Sequence, residues 1–277
     1  MCRLYGFRAN QATKVECSLA YAQNALLSQS ASDLGGVSHP DGWGIASYAD
    51  GIPDITKRAR AAFKDLYFGM TAERSHARTV VAHVRLATVG ETFPENTQPF
   101  GHGRWVFAHN GTLRAFDALR SELERETDSD LLARRLGATD SEAAFLWLLS
   151  RMRRSGIDGS RPPEVGPLVD VVGSAIADLS RRSEAAGEAK PTRLNFILTD
   201  GEILLATRWR HSLHWIARQG VHDCEICGIP HIEGPGGADY SAIAVASEPI
   251  TQEEWSKVPE GHILAVDRDI RATLHRI

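Results

Sequence analysis

Two short β-rich runs, Leu194 to Leu198 and Ile203 to Thr207, flank the dipeptide Asp200-Gly201. Asp-Gly tolerates the positive φ that a tight turn needs, so these runs are read as an antiparallel hairpin, and a hairpin commits its sheet to antiparallel pairing. Further β-rich runs lie at Trp43 to Tyr48 (ended by Asp50-Gly51), Thr79 to Val84, Trp105 to Ala108, Ala242 to Ala246 and Ile263 to Val266. Ser212 to Ala217 are expected to continue the meander after the hairpin. Helical spacing marks residues 17–29 and 113–137, the latter through Leu113, Phe116, Leu119 and Leu123. A helix is expected to start after Thr139, where Thr-Asp-Ser-Glu matches a capping arrangement. Another is expected from about 168 to 186, after a Gly- and Pro-rich loop over 155–167. Strand pairs separated by helical pairs predict an α+β fold with antiparallel sheets. No linker, repeat or low-complexity tract divides the chain, so residues 1–277 are read as a single domain. Residues 220–240 carry little regular pattern, and a long loop in a compact domain is often functional.

Composition narrows the function classes. The 277 residues are 43% hydrophobic, near the globular norm. The formal net charge of −4 argues against a dedicated nucleic-acid binder, and the 26 Arg are spread along the chain rather than gathered in a patch. Four Cys are too few for a disulfide scaffold. No apolar run approaches the ~20 residues of a membrane helix, and the start Met-Cys-Arg-Leu-Tyr-Gly lacks the features of a signal peptide. A soluble protein of the reducing cytoplasm is expected, with neither nucleic-acid nor membrane partners. One oddity stands out: a cysteine at position 2.

A thiol attacks only as thiolate, and an ordinary Cys has a pKa of about 8.5. Removal of Met1 would make Cys2 the first residue and give it a free α-amine with a pKa near 8, suited to act as general base. Nucleophile and base would then share one residue. The plainer alternative is a small residue that merely permits Met removal.

Other segments carry chemistry of their own. Arg85 follows a β-rich run in Ala82-His83-Val84-Arg85-Leu86-Ala87-Thr88-Val89-Gly90, and an Arg at a strand end can grip a carboxylate through two parallel hydrogen bonds. Alone, such an Arg is more often a surface ion-pair member. Phe107-Ala108-His109-Asn110-Gly111-Thr112 also follows a β-rich run. The Asn110 amide and the Gly111 N–H can form an oxyanion hole, although Asn-Gly is often just a turn. Asp41-Gly42-Trp43-Gly44-Ile45 is a Gly-rich strand entry. Thr139-Asp140-Ser141-Glu142 offers a carboxylate for a substrate ammonium, or a plain helix cap.

Taken in order, Met-Cys2-Arg, Asp41-Gly-Trp-Gly-Ile, His83-Val-Arg85-Leu-Ala-Thr88, Asn96-Thr-Gln-Pro99-Phe, Ala-His109-Asn110-Gly111 and Thr139-Asp140-Ser-Glu resemble the class II glutamine amidotransferases, which are N-terminal nucleophile hydrolases. The tail, with Arg193-Leu-Asn-Phe and Ala246-Ser247-Glu248-Pro249, is similar to the stand-alone members, the ergothioneine-pathway γ-glutamyl hydrolase type among them. The resemblance implies a four-layer αββα sandwich. It implies that Cys2 attacks the γ-glutamyl amide of glutamine or another γ-glutamyl small molecule, with Asn110 and Gly111 holding the oxyanion. Arg85 would bind the α-carboxylate, Asp140 the α-ammonium, and Leu86 and Thr88 would line the pocket. It implies no cofactor, and an ammonia-accepting partner protein or a homo-oligomer stays open. The competing reading from another class is a non-catalytic binding subunit that keeps the fold and serves a partner synthase.

Some positions depart from the family or remain ambiguous. Leu86 and Val89 stand where many members have Trp and His. Asp128, in Glu126-Thr127-Asp128-Ser129-Asp130, also fits the ammonium-binding pattern, but Asp140 is preferred because an Ala-Phe-Leu-Trp-Leu-Leu helix follows it. Separately, His222, Cys224, Cys227 and His231 have plausible zinc-ligand spacing. Two loop thiols lining a channel or core is the plainer and preferred reading, a redox pair the least favoured, and the resemblance requires no metal there. Cys17 is read as a core residue of an apolar helix face. His39 reads as a turn-shaping residue and His83 as structural. His109 reads either as a brace for the oxyanion hole or as core.

Overall fold

The computed structural model describes residues 2–48, 51–159, 161–187, 190–221, 223–232 and 239–277. Asp50 of the expected Asp50-Gly51 turn, and His222, lie outside the described residues.

Strand β1 (Arg3–Lys14) lies in the interior of a seven-stranded sheet. On one side stand β4 (His76–Val84), β2 (Trp43–Tyr48) and β3 (Pro53–Arg58); on the other stand β10 (Ser241–Ala246), β9 (His214–Gln219) and the short β11 (Ser256–Lys257). The second sheet has six strands in the order β13 (Ala272–Arg276), β12 (His262–Val266), β8 (Leu204–Arg208), β7 (Arg193–Thr199), β6 (Trp105–Thr112) and β5 (Phe100–His102). Pairing is antiparallel throughout both sheets.

Side-chain alternation along the strands builds three apolar layers. Tyr5, Phe7 and Ala9 of β1 face outward with Trp43, Ile45 and Val80, under helices α1 (Leu26–Ala31) and α2 (Leu66–Arg74). Leu4 points the other way and meets Val81, Val106, Ala108, Ile197 and Leu264 between the sheets. The far face of the second sheet packs Phe107, Phe196 and Leu205 against α3 (Phe116–Glu126), α5 (Asp140–Arg154) and α6 (Val165–Ala185). A short helix, α4 (Ser129–Leu132), precedes α5. The result is the four-layer αββα sandwich that the resemblance implies. Close approach of the two sheets explains Gly6, whose Cβ would lie 3.0 Å from Ile197 Cδ1.

The Asp200-Gly201 turn forms as expected: Asp200 Oδ1 accepts the N–H groups of Glu202 and Ile203 at 2.9 and 2.8 Å, and Gly201 takes φ +92°. The helix at Thr139 is also borne out, since Thr139 Oγ1 accepts the Glu142 N–H at 3.2 Å. Four expectations are corrected. Residues 17–29 form a short helical turn, Cys17–Tyr21, and then α1, because Asn24 turns away to bond Pro249 O at 2.7 Å. Residues 113–137 split between α3 and α4: Thr127 takes an extended backbone there. Residues 212–217 do not extend the second meander; β9 crosses to the first sheet and pairs with β10. Helix α6 starts at Val165, inside the expected loop, with Pro167 tolerated in its first turn. Among the described residues no helix is long and apolar enough to cross a membrane.

Candidate active site

The register of β1 and β4 pairs Arg3 with Val84, so one step further brings Cys2 opposite Arg85. Cys2 is buried, and its parity with Leu4 turns the thiol towards the space between the sheets. Leu86 N–H donates to Cys2 Sγ at 3.5 Å, and Leu86 O lies 3.5 Å from the same sulfur. Burial pushes the thiol pKa up; the Leu86 bond and the Arg85 charge oppose this, and Asp140 adds to it. A thiol so placed rests protonated and needs a base before it can attack.

Asp41 and Gly42 shape the loop that carries Arg85. Arg85 N–H donates to Gly42 O at 2.8 Å, Asp41 N–H donates to Arg85 O at 3.0 Å, and Asp41 Oδ2 accepts the Ala87 N–H at 2.8 Å. Gly42 takes φ +146°, where a side chain would be strained. The Arg85 guanidinium is buried and donates to the carbonyls of Val89, Gly90 and Glu91 at 3.0–3.2 Å. These bonds use three of its five N–H donors, which leaves donors for a carboxylate. Thr88 Oγ1 lies 3.1 Å from Thr112 Oγ1, so the loop is tied to the end of β6.

Asn110 has the same parity as Val106 and Ala108 on β6 and therefore also faces the space between the sheets. Its Nδ2 donates to Ser247 Oγ at 3.2 Å, and that same hydroxyl accepts the Leu4 N–H at 2.9 Å. Ser247 thus bridges the second sheet to the strand that begins beside Cys2. A Cβ on Gly111 would meet Arg193 O at 2.0 Å and His109 Nε2 at 2.6 Å. Close packing of β6 on β7 therefore demands glycine there, independently of any part in catalysis.

Asp140 and Asp128 fall in different surroundings. Asp140 is buried at the start of α5; its Oδ2 accepts the Leu113 N–H at 2.7 Å and its Oδ1 the Ser141 N–H at 2.9 Å. Its charge reaches both Cys2 and Arg85. Asp128 instead pairs with Arg154 at 2.9 Å and Arg153 at 3.5 Å on the outer helical layer. The structure therefore brings Cys2, Arg85, Leu86, Thr88, Asn110, Gly111 and Asp140 to one end of the two sheets and leaves Asp128 outside.

His109 bonds Ser141 Oγ at 2.9 Å and Arg193 O at 2.8 Å, tying β6 to α5 and β7. Burial lowers the pKa of His83 to about 3, so it is neutral and structural.

One group escaped the sequence reading. The Arg3 guanidinium donates to Glu248 Oε1 at 2.8 Å, to Asp33 and, at 3.0 Å, to the carbonyl of Cys2 itself. His39 Nε2 meets Asp33 Oδ2 at 3.0 Å, so this histidine belongs to the buried cluster rather than to a simple turn. Burial pulls the His39 pKa down against the Asp33 bond, and the ring stays neutral. Burial alone would raise the Asp33 pKa, but the Val37 N–H, His39 and Arg3 hold it below the usual range. The signal lay in Met-Cys-Arg and Ser247-Glu248-Pro249, which only the fold brings together.

Cys17 also departs from its expected role. It is buried, yet it faces Cys224, Cys227 and His231 rather than the apolar core. These four lie past the far end of β1 from Cys2. A cavity of about 380 Å³ opens beside them, lined by Tyr5, Phe7, Ile226 and Tyr240, on the outer face of the first sheet and away from Cys2.

Two stacked antiparallel sheets between helical layers, with Cys2 at the head of a central strand, form the αββα sandwich of the N-terminal nucleophile hydrolases. The chain belongs to the class II glutamine amidotransferases: that family's model matches residues 1–275. It is 29% identical to the putative glutamine amidotransferase YafJ of Escherichia coli, over 94% of this chain and 95% of that protein. It is 27% identical to the gamma-glutamyl-hercynylcysteine sulfoxide hydrolase of Mycolicibacterium smegmatis, over 83% of this chain and 79% of that one. The crystal structure of a predicted glutamine amidotransferase from Pseudomonas aeruginosa superposes with a TM-score of 0.64 at 26% identity, covering 98% of this chain and 99% of that one.

Proposed function

We propose that this chain hydrolyses the γ-glutamyl amide bond of a small γ-glutamyl compound, with Cys2 as nucleophile. The observation that carries the reading is the buried Cys2 thiol opposite Arg85 across the β1–β4 pairing, with the Leu86 N–H on its sulfur and the buried Asp140 at the start of α5. A γ-glutamyl group presents an α-carboxylate and an α-ammonium at fixed spacing, and one cation and one anion beside a nucleophile suit that pair.

With Met1 removed, the α-amine of Cys2 takes the thiol proton as the sulfur attacks the amide carbon. The carbonyl oxygen becomes an oxyanion, for which Asn110 Nδ2 and the Gly111 N–H are the donors. Asn110 Nδ2 rests on Ser247 Oγ through one of its two N–H donors, and the other serves the oxyanion. Collapse of the adduct breaks the C–N bond, and the α-ammonium returns its proton to the departing ammonia or amine. Water then attacks the thioester and gives a proton to the same amine; glutamate leaves and the thiol is restored. The buried carboxylate of Asp140 holds the substrate ammonium, and the free donors of Arg85 hold the carboxylate.

Similarity to the gamma-glutamyl-hercynylcysteine sulfoxide hydrolase favours a substrate larger than glutamine. Glutamate release from glutamine and from γ-glutamyl-cysteine derivatives, measured side by side, tests this. A kcat/KM higher for the γ-glutamyl-cysteine derivative is expected; equal or greater efficiency with glutamine favours an ammonia donor. Full hydrolysis by Cys2→Ala rejects the mechanism.

A further inference from the structure

We infer that Cys17, Cys224, Cys227 and His231 form a closed structural zinc site, separate from the chemistry at Cys2. The three sulfurs and a ring nitrogen of His231 all lie within 4.8 Å of one another. A tetrahedron built on zinc–sulfur bonds of ~2.3 Å has edges of about 3.8 Å, so a small inward movement of side chains closes it. Three thiolates and an imidazole suit zinc, whereas magnesium and calcium take oxygen donors. Four protein ligands leave no open position for a substrate or water, which makes the site structural.

The backbone around the ligands has the form such a site needs. Cys224 Sγ accepts the Ile226 N–H at 3.4 Å, which fixes the sulfur at the start of the turn. Gly228 N–H donates to Cys224 O at 2.8 Å and Cys224 N–H to Ile229 O at 3.1 Å, closing a tight turn around both cysteines. Gly228, directly after Cys227, takes φ +72°, which favours glycine. Cys227 Sγ already stands 3.3 Å from His231 Nε2. Lys14 N–H donates to His231 O at 2.9 Å, so the His-bearing end is anchored three residues before Cys17.

A metal also answers a mechanical need. Apart from a bridge between Thr13 and Ile232, residues 223–232 form no regular element, and the cavity of about 380 Å³ lies between them and the sheet among the described residues. Ordering such a loop costs conformational entropy that its own contacts repay poorly, and metal binding supplies that free energy. A Cys224–Cys227 disulfide would engage only two of the four gathered groups and leave buried Cys17 and half-buried His231 unused.

Wild-type protein purified without chelator is expected to carry about one zinc per chain by elemental mass spectrometry. Cobalt(II) exchanged into it should show a thiolate-to-metal charge-transfer band and the intense visible bands of tetrahedral coordination. Cys17→Ser should lose zinc and alter the cobalt spectrum, while Cys2→Ser should change neither. If Cys17→Ser fails to fold, the wild-type stoichiometry and cobalt spectrum decide alone. Wild-type protein that stays folded with far less than one zinc and shows no thiolate–cobalt band overturns the proposal, as does an isolated protein holding a Cys224–Cys227 disulfide.

Discussion

Arg3 and Glu248 stand 245 positions apart in sequence and 2.8 Å apart in space, both buried, and Arg3 also holds the carbonyl of Cys2. A buried guanidinium left without its partner is costly, and removing one member of such a pair typically loses 3–5 kcal/mol. Asp33 would still contact Arg3, so Glu248→Ala should cost about 3 kcal/mol, the lower end of that range, in guanidinium unfolding. Glu248→Gln keeps an acceptor and should cost less. A loss below ~1 kcal/mol for Glu248→Ala, the scale of a surface pair, would show that the cluster does not brace the strand that carries Cys2.

Asn110 offers its amide to Ser247, which also accepts from Leu4 beside the proposed nucleophile. Replacing Asn110 with Ala should lower kcat by roughly a hundredfold or more, with a smaller effect on KM, because an oxyanion forms only in the transition state. Steady-state kinetics with an unchanged melting curve would isolate this effect. Unchanged turnover would remove Asn110 from the mechanism.

The two aspartates should separate cleanly. Asp140→Asn should reduce kcat/KM by about a hundredfold, the scale of losing one partner of a buried charge pair. Asp128→Asn should leave it within about twofold, because Asp128 sits in an arginine pair on the outer layer. The loss at Asp140 should shrink for a substrate analogue lacking the α-amine. Equal effects at both positions would contradict the assignment.

Stability should fall with acid through His83. Its ordinary pKa of 6.5 drops to about 3 in the fold. Between those values the unfolded chain holds the extra proton, so the contribution is present above about pH 6.5 and is lost as pH falls. From pH 7 to pH 5 this one residue should cost about 2 kcal/mol of unfolding free energy. His83→Gln should flatten the profile by that amount, and a parallel profile would show that His83 titrates normally.

Local chemistry made part of this molecule legible in sequence. Asp200-Gly201 and Thr139 carry their turn and cap in their own side chains, and Trp43–Tyr48 carries its strand in its apolar, β-favouring residues. The central strand β1 was invisible: Arg3, Arg8 and Lys14 interrupt its apolar pattern, and Arg3 and Arg8 are buried only because distant groups receive them, as Glu202 O receives Arg8 Nε at 3.0 Å. Strand β9 reads like its neighbours, and nothing in it says which sheet it joins. The motifs around Cys2, Arg85, Asn110 and Asp140 were legible because each sits at a strand or helix end with its own spacing. The Arg3–Asp33–Glu248 cluster and the company of Cys17 were not, because they join segments from opposite ends of the chain.

The central claim is that Cys2 is an N-terminal nucleophile for a γ-glutamyl group. The most direct measurement treats the protein with a glutamine-like chloroketone or diazoketone and follows it by intact mass and peptide mapping. A chain lacking Met1, labelled once, on Cys2, and silent in hydrolysis afterwards is expected. Met1 retained on active protein, or a label on any other residue accompanied by loss of activity, would contradict it.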